Sequence, residues 1–387
     1  DIAGLLKYDY RIADETTAQL QYKLSPFLIP GLDAHLLVFI NGRWSPDLSE
    51  IREEKDEGVV ISSLKTALEN RHPALEGKLS RVADFREDTF TALNTAFALD
   101  GVFVFVPAGK TIAKPVHIIN LAIPGEKPFQ SHPRNLFILE EGSSATIIES
   151  HEHAGSGVYL QNVVGEITIG DKAELKHYRI QNESRESYRI STMQVELGRE
   201  CRYTGLGLDL GGALVRNNTN LLIGGEYSEA NLYGFYLVSG RQHIDNHTNI
   251  DHAAPNCDSN ELFKGILADK ARGVFSGTIY VRRDAQKTNA FQSNKNLLLS
   301  EEAEIDSKPQ LKIFADDVKC SHGATIGQLD EEALFYLRQR GLSISEANTM
   351  LRYAFAADVF NRIELAPLKE YADQKVNKRI LNEISAG

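Results

Sequence analysis

The sequence contains few of the residues that build disulfide frameworks or membrane spans. It has three cysteines among 387 residues, widely spaced at Cys201, Cys257 and Cys320, and no Cys-x-x-Cys pair. This spacing excludes a disulfide-stapled fold and favours a reducing compartment, either the cytoplasm or a plastid stroma. No apolar run approaches the roughly 18 residues that a membrane helix needs.

Positive charge is also scarce relative to negative charge. The chain carries 42 basic and 53 acidic residues, a net charge of −11. An excess of this sign repels phosphate backbones and anionic lipid. We therefore expect neither nucleic acid nor a membrane as a partner.

The residue patterns divide the chain into three regions. Residues 1–100 are predicted to be mixed but mainly helical, with helical spacing over residues 59–69 and 87–99. Residues 101–327 carry short alternating strands separated by turns. In residues 328–387 the apolar spacing becomes helical again.

A repeat runs through the strand region. The frame Gly-x-x-small-x-apolar begins at Gly142, Gly170 and Gly198, 28 residues apart, and similar frames begin at residues 268 and 300. A period of this length is typical of a solenoid, whose coils bury their apolar faces against one another. We predict a mainly β fold with a right-handed parallel β-helix, or β-solenoid, as its core. Ala145, Ala173 and Cys201 should occupy equivalent places in successive coils; a β-sandwich is the alternative.

Between the frames, apolar and polar residues alternate as in strands. Two sets of apolar residues each predict one face of a strand: Met193, Val195 and Leu197, separated by Gln194 and Glu196, and Leu206, Leu208 and Leu210, separated by Gly207 and Asp209.

The C-terminal region carries capping signals for three helices. Asp330 can cap the first helix, Gly341 can end it, and Ser343 with Glu346 has capping-box spacing. Pro367 can open a third helix that runs to about Glu383. One apolar stripe is predicted on the middle helix: Ala347, Met350, Leu351, Ala354, Phe355 and Val359. This stripe can pack on the solenoid end, bind a partner, or do both.

Cys320 and His322 form the most informative pair of the sequence. In a strand, residues two apart project to the same face, so a thiol and an imidazole are offered to one site. Two ligands do not complete a tetrahedral metal site, so a metal at His322 would be shared with another strand or chain. The alternative is a small buried cysteine beside a hydrogen-bonded histidine.

Two other clusters contain histidine. Residues His243, His247, Asp251 and His252 could hold a metal on a helix, but their asparagine neighbours favour a strand, on which the imidazoles disperse. His151, Glu152 and His153 lie beside glycines and are predicted to form a solvated loop.

Gly109-Lys110-Thr111 resembles the end of a phosphate-binding loop. That motif requires a glycine five positions before Gly109, where this chain has Val104, and a following helix, where this chain predicts turn and strand. We therefore expect no nucleotide site here.

The region around His322 resembles a known family. Residues 316–325 read Asp-Asp-Val-Lys-Cys-Ser-His-Gly-Ala-Thr, a signature of the SufB/SufD family of iron–sulfur cluster assembly scaffolds. The resemblance continues upstream at residues 246–248, 252–257 and 275–279 and downstream at residues 334–341. The chain is similar to the SufD branch, because it is short and lacks the additional N-terminal cysteines of SufB members.

The resemblance implies a non-catalytic scaffold subunit that pairs with SufB and binds the ATPase SufC through its C-terminal helices. Five residues are the candidates for the SufC contact: Leu334, Phe335, Met350, Leu351 and Phe355. A nascent iron–sulfur cluster would form at the SufB interface, with a SufB cysteine as principal acceptor, His322 opposite it and Cys320 nearby. The isolated chain would hold no cofactor and could form a homodimer.

Two alternatives come from other classes of protein. One is a purely structural β-solenoid that binds proteins without metal chemistry. The other is a carbohydrate-active β-helix enzyme that uses acidic residues such as Asp306, Asp316 and Asp317.

Overall fold

The computed structural model describes residues 3–13, 22–52 and 57–383. The first eleven strands are β1 Arg11–Ile12, β2 His35–Ile40, β3 Arg43–Trp44, β4 Val60–Ser63, β5 Val102–Val106, β6 Val116–Ala122, β7 Phe129–Ser131, β8 Arg134–Leu139, β9 Ser144–His153, β10 Tyr159–Ile169 and β11 Glu174–Asn182. The others are β12 Tyr188–Leu197, β13 Arg202–Asp209, β14 Leu214–Ile223, β15 Glu229–Val238, β16 His243–His252, β17 Asp258–Leu267, β18 Arg272–Val281, β19 Asn289–Leu298, β20 Glu304–Ile313 and β21 Lys319–Gly327. The helices are α1 Leu64–Glu69, α2 Thr89–Phe97, α3 Glu331–Gln339, α4 Ile344–Phe360 and α5 Ala366–Glu383.

The strands form two facing sheets through which the chain passes alternately. One sheet has the order β20-β18-β16-β14-β12-β10-β8-β5-β4, and the other has the order β21-β19-β17-β15-β13-β11-β9-β6-β2-β3. From β5 and β2 onward the neighbours are parallel, as between β10 and β12 or β17 and β19. Parallel neighbours two strands apart in sequence define a solenoid of about eight turns. The predicted β-solenoid is confirmed, and the sandwich alternative is wrong.

The predicted repeat register is partly wrong. Glu174 pairs with Arg202, so Ala173 and Cys201 are equivalent, but Ala145 pairs with Leu175, two residues further along. At corners of the solenoid a small residue follows a residue whose backbone is left-handed, with φ between 57° and 66°. These left-handed residues are Gly142, Lys172, Glu200, Tyr227, Asn256 and Lys287. Gly142 is therefore equivalent to Lys172, not to Gly170. Gly170 has another reason to be glycine, because a Cβ there would lie 2.9 Å from the backbone of Glu140.

Both predicted apolar faces are buried, but one faces the solenoid interior and the other faces outward. Met193, Val195 and Leu197 face the solenoid interior. Leu206, Leu208 and Leu210 are buried outside it, where α4 and α5 cover the second sheet. Asp209 then faces inward, where its carboxylate binds Arg179 at 3.0 Å.

The N-terminal region is less helical than predicted. The 59–69 segment is strand β4 followed by the short helix α1, whereas the 87–99 segment is helix α2 as expected. Strands β2 and β4 extend the two sheets. The prediction failed at β4 because its residues pair with Val102–Val106, a contact between distant segments.

The C-terminal helices follow their predicted signals. Asp330 accepts from the backbone N–H of Glu332 at 2.9 Å, Gly341 is left-handed after α3, and Ser343 and Glu346 form a capping box. Helices α4 and α5 pack on the side of the solenoid, where the Phe360 and Phe235 rings lie 5.3 Å apart. The predicted stripe on α4 is wrong in part: Met350 and Ala354 are exposed, and Ala356 and Phe360 are buried instead. Among the described residues, no helix is long and apolar enough to cross a membrane.

Candidate functional site

The last coil of the solenoid is open. Strand β20 ends one sheet and β21 ends the other, so within the described chain each has a strand neighbour on one side only. Most residues of β20 and β21 are exposed or half-buried, whereas the interior positions of earlier strands are buried. Unpaired strand edges of this kind are templates for pairing with another chain.

Cys320 and His322 lie on β21, in this open coil. Cys320 is half-buried against a small apolar cluster that includes Ala290 and Leu311, and burial raises the pKa of its thiol. His322 is exposed. The structure therefore buries neither residue fully, and the imidazole is the more accessible of the two predicted ligands.

Exposed apolar side chains surround the open coil. Ile326 on β21, Phe291 on β19, and Ile313 and Phe314 at the end of β20 are all exposed. Apolar groups next to unpaired strand edges are typical of a surface that another molecule covers.

Two buried polar residues lie behind His322 in the same column of the solenoid. Glu261 on β17 pairs with Gln292 on β19, and Gln292 pairs with His322. Nε2 of Gln292 donates to Oε2 of Glu261 at 2.6 Å. Burial raises the pKa of Glu261 to about 7. Glu261 and Gln292 cannot be recognised from the sequence as neighbours of His322, because only the strand register connects the three residues.

The other predicted histidine clusters do not assemble. On β16, His252 faces inward and contacts the Ser259 hydroxyl at 2.9 Å, whereas His243 and His247 lie on the outer side. His247 is 2.7 Å from the carboxylate of Asp245. The dispersal expected for a strand is confirmed. Within residues 3–13, 22–52 and 57–383, no group of three or more His, Cys, Asp or Glu side chains could hold a metal ion.

The predicted solvated loop at residues 151–153 is wrong. His151, Glu152 and His153 end strand β9, and His151 and Glu152 are buried. Both ring nitrogens of His151 lie 3.0 Å from the Arg189 guanidinium, and burial together with that charge lowers the pKa of His151 to about 3. Glycines at 155 and 157 form the turn that follows, not the histidine segment itself.

Two further predictions concern the phosphate-loop-like segment and the acidic residues. Gly109 is left-handed in the turn after β5, and β6 follows without a helix, as predicted. Asp306 is exposed on β20, and Asp316 and Asp317 are exposed in the turn before β21.

The candidate SufC-contact residues fall into two groups. Phe335 and Met350 are exposed, as are Tyr336, which follows Phe335, and Ile344, which lies six residues before Met350. Phe355 instead packs on the solenoid, where Nζ of Lys264 lies 4.3 Å from its ring centre. Leu334 and Leu351 are half-buried. We call the exposed set Phe335, Tyr336, Ile344 and Met350 the α3–α4 patch.

Comparisons with known proteins match nearly the whole chain. The family described as "SUF system FeS cluster assembly, SufBD core domain" matches residues 122–355, and "SufBD protein N-terminal region" matches residues 1–118. An iron–sulfur cluster assembly SufBD family protein of Synechocystis is 35% identical over 98% of this chain and 85% of its own length. The iron–sulfur cluster assembly protein SufD of Escherichia coli is 32% identical over 90% of this chain and 80% of its own length. SufD of Bacillus subtilis is 27% identical over 86% of this chain and 76% of its own length.

Proposed function

Because the chain belongs to the SufBD family of iron–sulfur cluster assembly proteins and is SufD-like, we propose that it is the scaffold subunit that pairs with SufB and binds the SufC ATPase. The observation that carries the proposal is the open terminal coil, which presents His322 and Cys320 at an unpaired strand edge. We expect the isolated chain to hold no cofactor. The cluster is cargo that forms while the complex is assembled.

Pairing with SufB is assigned to the terminal coil. Strands β20 and β21 offer unpaired backbone groups, and exposed apolar side chains such as Ile326 and Phe314 adjoin them. Strand addition supplies hydrogen bonds, and the apolar residues add buried area. In the absence of SufB, the same surface would pair two copies of this chain.

The chemistry at that interface is metal and sulfide binding. Imidazole is a suitable iron ligand, and thiolate is the usual ligand of iron–sulfur clusters. His322 is the exposed donor of this chain, so it would face a SufB cysteine across the interface. The half-buried Cys320 is secondary, because burial raises the pKa of its thiol and disfavours the thiolate.

Binding of SufC is assigned to the α3–α4 patch. Its four side chains are exposed although they are large and apolar. Helix α4 continues from this patch to the outer face of the second sheet, where Phe355 packs on Lys264 of β17. Movement of a bound SufC could therefore reach the sheet that carries β21. ATP hydrolysis belongs to SufC, and this chain is not an enzyme in the proposal.

The proposal places the complex in the cytoplasm or in a plastid stroma. The three cysteines are unpaired in the structure, which suits a reducing compartment.

The two surfaces can be tested separately by co-purification with SufB and SufC. Ile326→Asp should abolish recovery of SufB and retain SufC, because it places a charge in the terminal coil. Phe335→Ser with Met350→Ser should do the reverse. A matched control is Ala354→Ser, an exposed substitution on α4 outside the patch. Loss of neither partner from either variant would contradict the assignment of the two surfaces.

A further inference from the structure

Two buried polar residues continue the column of His322 into the solenoid. The register places Glu261, Gln292 and His322 at equivalent positions of β17, β19 and β21. Neighbouring strands are about 4.8 Å apart, so each side chain adjoins the next along the solenoid axis. Glu261 is 1% exposed and Gln292 is 3% exposed, whereas His322 is exposed at the open end.

Packing does not require polar residues in this column. Leu232 occupies the same column one coil before Glu261 and is also buried. A leucine therefore fits the interior at this position. Because burying a carboxyl or amide group costs more than burying a leucine, Glu261 and Gln292 call for a reason other than core formation.

The hydrogen bond between these residues fixes the orientation of the Gln292 amide. Nε2 of Gln292 donates to Oε2 of Glu261 at 2.6 Å. Because Oε2 of Glu261 is the acceptor in this contact, the NH₂ end of the amide points towards Glu261. The other end, Oε1, is buried and has no hydrogen-bond partner in the described part of the chain. A fixed acceptor is thus available one strand away from His322.

The opposite sheet provides the space that this amide occupies. Gly277 on β18 faces Gln292 across the interior, and a Cβ at position 277 would lie 2.2 Å from Nε2 of Gln292. The Gln292 amide is therefore held by its hydrogen bond to Glu261 and occupies the space left by the absence of a side chain at Gly277.

We propose that Gln292, oriented by Glu261, is a positioning residue for His322. In the assembled complex its Oε1 would accept a hydrogen bond from one imidazole nitrogen, which would fix the tautomer and leave the other nitrogen directed at iron. Histidine ligands usually donate their second ring N–H to such an acceptor. The inference rests on the proposed role of His322 at the assembly interface and adds the residues that prepare it.

The test is a titration of the complex of this chain, SufB and SufC with Co²⁺ alone. Binding is measured from the d–d and thiolate charge-transfer absorption bands. His322→Ala should abolish the His322-dependent site. Gln292→Leu should weaken Co²⁺ binding about tenfold. Gln292→Leu should have no further effect when His322→Ala is already present, because a positioning residue acts through its ligand.

A second variant reaches the amide from the opposite strand. Gly277→Ala should displace the Gln292 amide and weaken Co²⁺ binding, although it changes neither Gln292 nor His322. The control is Asn296→Leu, which removes a buried interior amide of β19 four residues from Gln292. It should lower the melting temperature and leave Co²⁺ affinity unchanged.

The outcomes separate this inference from the proposed function. Wild-type Co²⁺ affinity in both Gln292→Leu and Gly277→Ala, with the site lost in His322→Ala, would overturn the positioning role and leave the role of His322 intact. An additional loss from Gln292→Leu in the His322→Ala background would also overturn it, because the effect would then not pass through His322. Wild-type binding by His322→Ala would contradict the proposed function itself.

Discussion

Nζ of Lys264 donates to the carbonyl oxygen of Phe355 at 2.9 Å and lies 4.3 Å from the centre of the Phe355 ring. Lys264 is 3% exposed on β17, and Phe355 lies in α4. These contacts join the helix that carries part of the α3–α4 patch to the sheet that ends at β21.

Lys264→Met should loosen α4 selectively. It removes the hydrogen bond to the Phe355 carbonyl and the cation–π contact, a loss of about 1–2 kcal/mol. Hydrogen exchange should become faster in α4 and remain unchanged in the solenoid strands. The control is Lys295→Met, which removes an exposed lysine from the neighbouring strand β19 and should have little effect. Unchanged exchange in α4 would show that the contact does not hold the helix.

Substitutions in the α3–α4 patch should weaken SufC binding without lowering the stability of the chain. Phe335→Ser with Met350→Ser should weaken SufC binding at least tenfold in a titration, because large exposed apolar residues commonly dominate interfaces. The melting temperature should stay within about 2 °C of the unmodified chain, since neither side chain is buried. Deleting residues 330–387 is a poorer experiment, because it would uncover the outer apolar face formed by Leu208 and Phe235. SufC binding that survives the double substitution would place the contact elsewhere.

The buried Glu261 should make the free energy of unfolding fall as the pH rises. Its pKa in the folded chain is raised by burial to about 7, above its value in the unfolded chain. The folded state therefore binds the proton more tightly, and the associated stability is full below about pH 4 and lost as the pH rises through 7. The free energy of unfolding should fall by about 2–4 kcal/mol over that range on account of Glu261.

Glu261→Gln should remove that contribution. Denaturant unfolding at pH 5 and pH 8 should show a smaller decrease for the variant than for the unmodified chain. The difference between the two chains isolates Glu261 from the other titrating groups. Equal decreases would mean that Glu261 is ionised in the folded state without cost.

Glu166 should be among the residues that contribute most to the stability of the N-terminal half. Its buried carboxylate accepts from the backbone N–H groups of Ser80 and Val82 at 2.8 and 2.9 Å, and from the Arg134 guanidinium at 2.6 Å. Glu166→Ala would leave the buried Arg134 guanidinium without this carboxylate partner. The free energy of unfolding should fall by about 3–5 kcal/mol. Thermal or denaturant unfolding measures this decrease. The control Glu196→Ala removes an exposed carboxylate and should change stability by less than about 0.5 kcal/mol.

Local signals explain what the sequence predicted correctly. Asp330, Ser343 and Glu346 cap helices through contacts within four residues, so their spacing alone is sufficient. The inward alternation of Met193, Val195 and Leu197 is equally local. Cys320 and His322 lie on one strand, where the projection to the same face depends only on their spacing of two residues.

Long-range pairing explains what the sequence did not predict. The alternation at Leu206, Leu208 and Leu210 does not show which side of the sheet is apolar, and here α4 and α5 cover the outer side. His151 is buried in the solenoid, where its ring nitrogens lie 3.0 Å from the guanidinium of Arg189, 38 residues later. Glu261, Gln292 and His322 are 31 and 30 residues apart, unlike the 28-residue frames, because coil lengths vary. Only the register brings them into one column.

The cluster yield of the complex that carries His322→Ala shows whether His322 is a ligand of the forming cluster. His322 is exposed, so its removal should leave the melting temperature and the recovery of SufB and SufC unchanged. Bound iron and sulfide per complex should nevertheless fall about tenfold or more, because a ligand is lost. The control His243→Ala removes an imidazole from β16, away from the terminal coil, and should retain full yield. Full cluster yield from a normally assembled His322→Ala complex would contradict the account.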